Sequence, residues 1–127
     1  MGQGYLMDTN VVIDYIGQRL PDSGEKFIDN LPPRISVISR IELIGWFGVS
    51  PKQLTNLLLF TANASIYLLE ENIILKAIEL RQKYRIKTPD AIIAATALVH
   101  NCTLITNNIA DFKVIPGFLL LNPHKIS

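Results

Sequence analysis

Four carboxylates and one asparagine in this chain carry oxygens of the kind a divalent cation takes: Asp8 in "YLMDTN", Glu42 in "SRIEL", Asp90 in "KTPDAII", and Asn108 and Asp111 in "LITNNIADF". Carboxylates crowded at one place repel one another and raise each other's pKa, so a compact cluster is tolerable chiefly when a cation neutralises it. Hard cations such as Mg²⁺ and Mn²⁺ prefer oxygen ligands, commonly a few carboxylates with waters and substrate phosphate. Such a site activates water and stabilises the entering and leaving oxygens of phosphodiester cleavage. Acids without accompanying His or Cys fit that chemistry.

The surrounding pattern predicts how these residues are mounted. Residues 5–8 read as a short buried strand that ends at Asp8, and residues 11–16 as a helix. A short helix over 24–30 is closed by Pro32 and Pro33, and the β-branched "RISVIS" over 34–39 reads as a strand. The next helix carries Glu42, Trp46 and Phe47 toward Gly48, and Ser50 with Pro51 starts another. A strand over 65–69 precedes an amphipathic helix whose apolar face is Ile73, Ile74, Ala77, Ile78 and Tyr84. The helix opened by "TPD" is apolar on nearly all sides, hence central, and strands over 102–106 and 117–121 complete the chain. Strands alternating with helices imply an α/β fold with a mainly parallel sheet, one three-layer domain over residues 1–127.

In such sheets functional groups gather beyond the carboxyl ends of the strands. Asp8, Glu42 and the Asn108–Asp111 pair follow three different strand ends. Asp90 opens a helix with no strand directly before it, so topology alone does not bring it into the cluster. Each acid also has a structural reading. Asp8 can cap the helix after it. Glu42 can complete a capping box with Ser39 as the cap. With Thr88 as cap and Pro89 as first helical residue, Asp90 is an acid favoured by the helix dipole. Asp111 can cap a turn.

The rest of the composition narrows the field. About half the residues are hydrophobic (49%), mean hydropathy is +0.28 and the net charge is +1, so any nucleic-acid contact must come from a local patch. Cys102 is the only cysteine, which excludes an internal disulfide and a Cys-based zinc site. No signal peptide or membrane-length apolar run is apparent, and a cytoplasmic protein is expected. Gly2 and Gly4 form a G-x-G that precedes the first strand instead of following it, so it is no dinucleotide fingerprint. His100 and His124 read as surface or helix-end residues. The basic stretch Arg81, Lys83, Arg85 and Lys87 is either a solvated helix end or a phosphate-steering patch, with Tyr84 for stacking and Arg40 a similar candidate.

In this order and spacing, "YLMDTNVVID", "SRIEL", "TPDAIIAATAL" and "LITNNIADF" resemble the PIN-domain ribonucleases, in particular the VapC-like toxins of toxin–antitoxin pairs, over residues 5–121. The resemblance implies a PIN-like α/β/α sandwich of short strands and a metal-dependent endoribonuclease. Asp8, Glu42 and Asp90 match the three core acids, Asn10 the polar residue two positions after the first acid, and Thr106 and Asn108 the "T-x-N/D" after the fourth strand. Asp111 matches the acid before Phe that commonly follows. The implied cofactor is Mg²⁺ or Mn²⁺, with no protein nucleophile and products bearing 5′-phosphate and 3′-hydroxyl ends. Asn108 stands where many PIN domains carry a fourth Asp, which implies a one-metal resting state with Asp111 assisting directly or through water. The implied partners are RNA and a protein antitoxin, seated in a groove near Trp46 and Phe47 with a basic side chain in the acidic site. A homodimer or toxin–antitoxin hetero-oligomer is implied, with no membrane and DNA only through the antitoxin. Two other readings stand beside it: a housekeeping PIN nuclease of RNA processing, and a non-catalytic PIN-like binding module.

Overall fold

The computed structural model describes residues 4–126, so Gly2 of the G-x-G lies outside the described residues. Five short parallel strands alternate with seven helices among those residues. Strand β1 (Gly4–Met7) pairs with β4 (Cys102–Ile105) from Gly4 opposite Cys102 to Met7 opposite Ile105. β4 pairs in turn with β5 (Leu120–Leu121). A second pair, β2 (Arg34–Ser36) with β3 (Ser65–Tyr67), approaches β1 from the other side. Parallel strands need long crossovers, and the helices are those crossovers.

Alternation along the strands fixes the layers. Leu6 and Leu104 point into one core with Ile73, Ala77, Leu80 and the alanines of the central helix. Their neighbours Met7 and Ile105 point into the opposite core with Val11, Val12, Ile35, Leu43 and Leu57. One face of the sheet therefore carries α5 (Glu71–Lys83), α6 (Thr88–Val99) and α7 (Ile109–Phe112). The other carries α1 (Thr9–Ile16), α2 (Asp22–Asp29), α3 (Val37–Ile44) and α4 (Pro51–Asn63). This is the expected three-layer α/β/α arrangement.

Helix α6 is central as its composition predicts: Ala91, Ala94, Ala95 and Ala97 are fully buried. Ser50 caps α4 in a full capping box with Gln53, and Pro51 occupies the first turn. Other expectations are corrected. The "RISVIS" strand stops at Ser36, whose hydroxyl accepts from the Ile38 amide and caps α3. Ser39 is therefore no cap and Glu42 is not in the first turn. α3 ends at Ile44, so Trp46 and Phe47 lie beyond it. Lys87, not Thr88, is the N-cap of α6. The buried face of α5 is Ile73, Ala77 and Leu80, while Ile78 is exposed and Tyr84 packs half-buried against the core.

The C-terminal segment is latched onto α1 and α2. Ser23 donates to the Ile126 carbonyl at 2.7 Å, and His124 Nε2 meets Asp14 Oδ2 at 2.9 Å. Gly24 permits this approach, because a Cβ there would lie 2.0 Å from the Pro123 carbonyl oxygen. Gly24→Ala is expected to destabilise the fold by about 1–3 kcal/mol, the usual range for overpacking. Urea denaturation checks it: a lower midpoint with unchanged slope is the expected result.

Candidate active site

Asp8 is placed by the end of β1. Its amide donates to the Ile105 carbonyl at 2.9 Å, extending the β1–β4 ladder by one residue, and its extended backbone starts α1. The side chain is buried, yet both of its oxygens are satisfied: Oδ1 accepts from the Thr9 amide and Oδ2 from the Thr106 hydroxyl, each at 2.8 Å. Thr106 is fully buried and accepts from the Asn108 amide at 2.9 Å, so one hydroxyl ties Asp8 to the loop after β4. The cap function of Asp8 and a place in the site coexist.

Glu42 reaches the same region from α3. Thr9 Oγ1 lies 2.5 Å from Glu42 Oε1 and 2.8 Å from the Ser39 hydroxyl. A hydroxyl has one proton, so the consistent pattern is Thr9 donating to Glu42 and accepting from Ser39. Sequence reasoning singles out neither Thr9 nor Ser39 as a site residue. The available signal is the Ser39–Glu42 spacing of three, which puts both on one helix face.

Asp90, in the first turn of α6, faces this region from the opposite layer. Burial raises its pKa, and the charges of Asp8, Asp111 and Glu42 raise it further. Burial likewise pushes Asp8 up, against the lowering effect of its bonds to Thr106 and Thr9, with Glu42 and Asp111 adding to the rise. Asp8, Asn10, Glu42, Asp90 and Asn108 wall one cavity of about 260 Å³, with Ile13, Ile93 and Trp46 as its apolar sides. Thr106 stands behind it. Asp111 stands outside, exposed on α7, where it accepts from Asn108 Nδ2 at 2.6 Å.

Among the described residues no three Asp, Glu, His or Cys side chains converge closely enough to form a ready-made coordination sphere. The acids surround a space instead of meeting at a point. That spacing suits a hydrated cation: Mg²⁺ keeps several waters, and each water occupies roughly 30 Å³. The donors are all oxygen, the cavity is lined by repelling carboxylates, and no soft ligand competes. The residues therefore fit a hard divalent ion.

The basic candidates separate. Arg81, Arg85 and Lys87 line a second recess of about 470 Å³, which Asp90 and Asp111 also border. Lys83 pairs with Glu79 at 3.1 Å and Arg40 is exposed on α3; neither lines either of these two cavities.

Residues 5–117 of the chain match the PIN domain family model. The chain belongs to the PIN domain family. This PIN domain is 33% identical to ribonuclease VapC2 of Rickettsia felis, across 95% of the chain and 98% of that protein. Its fold superposes on a toxin–antitoxin complex from Klebsiella pneumoniae with a TM-score of 0.76 and 31% identity, covering 97% of this chain and all (100%) of that one. It superposes on VapBC2 from Rickettsia felis, bound to a DNA fragment from its promoter, with a TM-score of 0.79 and 28% identity, covering 93% and 97%. No helix of the PIN domain, among the described residues, is long and apolar enough to cross a membrane.

Proposed function

We propose that this PIN domain is a Mg²⁺- or Mn²⁺-dependent endoribonuclease of the VapC toxin type, restrained by a protein antitoxin. The observation that carries the reading is the oxygen-lined cavity of Asp8, Glu42, Asp90 and Asn108. The likeness to ribonuclease VapC2 supports the activity, and the toxin–antitoxin neighbours support the partner.

Asp8, Glu42 and Asp90 would hold the ion, with Asn108 contributing its carbonyl and Asp111 orienting the Asn108 amide. The divalent ion supplies Lewis acidity toward water and phosphate when bound. The chain's own part is positioning. Thr106 and Thr9 fix the Asp8 carboxylate, Thr9 aims Glu42, and the rigid start of α6 mounts Asp90. Buried Ile93 and partly exposed Trp46 give the cavity an apolar side. An antitoxin side chain with positive charge would compete with the ion for the same acids, and Phe47, 98% exposed beyond α3 and next in the chain to the cavity-lining Trp46, offers apolar contact.

The test is expression in a bacterial host of the wild type beside Asp8→Asn, with RNA-end mapping and cleavage by the purified proteins. Growth arrest and new 5′-phosphate ends are expected for the wild type alone, and chelation of divalent ions should abolish cleavage. Mn²⁺ should also raise the wild-type Tm, because an ion bound only to the folded state stabilises it. Equal toxicity of both proteins would sink the catalytic assignment. Cleavage that persists in excess chelator would remove the metal from it.

A further inference from the structure

The recess of about 470 Å³ between the α5–α6 connection and α7 is larger than the acid cavity and shares Asp90 with it. Its polar wall holds Arg81, Arg85 and Lys87, and its apolar wall Ile86, Ala110 and Val114. Arg81 is partly anchored, donating from Nε to the Ile86 carbonyl at 3.3 Å. No ion pair among the described residues involves any of the three cations, although Asp90 and Asp111 border the same space. Lys83, two residues from Arg81 and Arg85, is by contrast neutralised by Glu79. Cations left unpaired around a recess of ligand size are suited to a phosphate, and the size lies within the range of about 300–1,000 Å³ usual for small-ligand sites.

We infer that this recess is a nucleotide subsite for single-stranded RNA: Arg81, Arg85 and Lys87 take a phosphate neighbouring the scissile one, and Ile86, Ala110 and Val114 take its sugar and base. The subsite rests on the nuclease reading above and deepens it. The shared Asp90 wall sets the bound nucleotide next to the reacting bond. A concave recess suits an unstacked nucleotide, and single-stranded segments are where bases are free to be splayed out.

The test compares wild type, the double variant Arg85→Gln/Lys87→Gln, and a control double variant Lys83→Gln/Lys113→Gln, which removes two cations outside the recess. The probe is a randomised ten-nucleotide RNA. Binding is measured in chelator across a salt series, and cleavage with Mn²⁺. The recess variant should bind at least about tenfold more weakly, with a salt slope shallower by about 0.7 for each phosphate that is no longer neutralised. Its KM should rise more than its kcat falls, and its Tm shift with Mn²⁺ should equal that of the wild type. The control should stay near wild type. Wild-type binding, slope and KM in the recess variant, or an equal loss in the control, would overturn the subsite and leave the nuclease reading standing. Loss of RNA binding in the recess variant of a wild type that binds but does not cleave would uphold the recess and remove the nuclease reading. A wild type that neither binds nor cleaves the RNA removes both.

Discussion

Asp90→Asn is expected to melt higher than the wild type in metal-free buffer while cleaving RNA at least about 100-fold more slowly. The loss follows from the proposal that Asp90 holds the ion directly, since even supporting partners of metal ligands cost about 10–100-fold. The gain follows from charge. Burial, then the charges of Asp8, Asp111 and Glu42, hold the folded-state pKa of Asp90 above its ordinary value. A carboxyl raised on folding binds its proton more tightly in the folded state. Its contribution to stability is therefore fullest at acid pH, below the unfolded value of about 3.9, and is lost as pH rises through the raised folded value. At neutral pH the ionised Asp90 is a standing cost. Partial exposure screens that cost, so relief by asparagine should be about 0.5–1 kcal/mol, or a Tm higher by about 2–4 °C. The difference between variant and wild type should vanish near pH 3, and should reverse when Mn²⁺ occupies the wild type. A variant that melts lower at pH 7 would show that the helix start outweighs the charge relief, and one that cleaves like the wild type would remove Asp90 from the site.

Thr106→Val should lose both stability and activity with no change of side-chain shape. It strips the only side-chain donor to Asp8 Oδ2 among the described residues and the acceptor from the Asn108 amide, a hydroxyl at a fully buried position. An unsatisfied buried polar group costs about 1–3 kcal/mol. The Asp8 carboxylate and the loop carrying Asn108 would lose their common tether, and cleavage should fall about 10–100-fold. Thr106→Ser keeps the hydroxyl and should recover most of both. Chemical denaturation and single-turnover cleavage of the three proteins separate the effects. A valine variant as active as wild type would show that the tether does not set ligand geometry.

The parts of the fold that are readable from sequence are those in which a local signal and the tertiary environment agree. Ser50, Pro51 and Gln53 write a helix start that packing leaves untouched. The alanines of α6 announce a buried helix because no polar face competes. "RISVIS" misleads because β-branched residues favour strands, while the sheet accommodates only three of the six and the Ser36 hydroxyl turns the rest into helix. The difference shifts Glu42 by a turn along its helix without removing it from the site, since Thr9 and Ser39 hold it there. Strand order does not place Asp90. Its position follows from the packing of α6 across the sheet, a tertiary fact with no local pattern. Spacing groups Lys83 with the other cations, and only the Glu79 ion pair separates it.

The sheet also sets when the site can exist. β1 pairs with β4, and the Thr106–Asp8 bond closes a separation of 98 residues. Contacts of such range form late, because the chain entropy they remove is not repaid until both ends are present. During synthesis Asp8 emerges 98 residues ahead of the Thr106 hydroxyl, and its partner strand β4 comes with that hydroxyl. Until then Asp8 has neither its neighbour strand nor its second donor. The arrangement of Asp8 is thus a property of the folded domain and not of any local segment: it comes into being only when residues 98 apart in the chain have met.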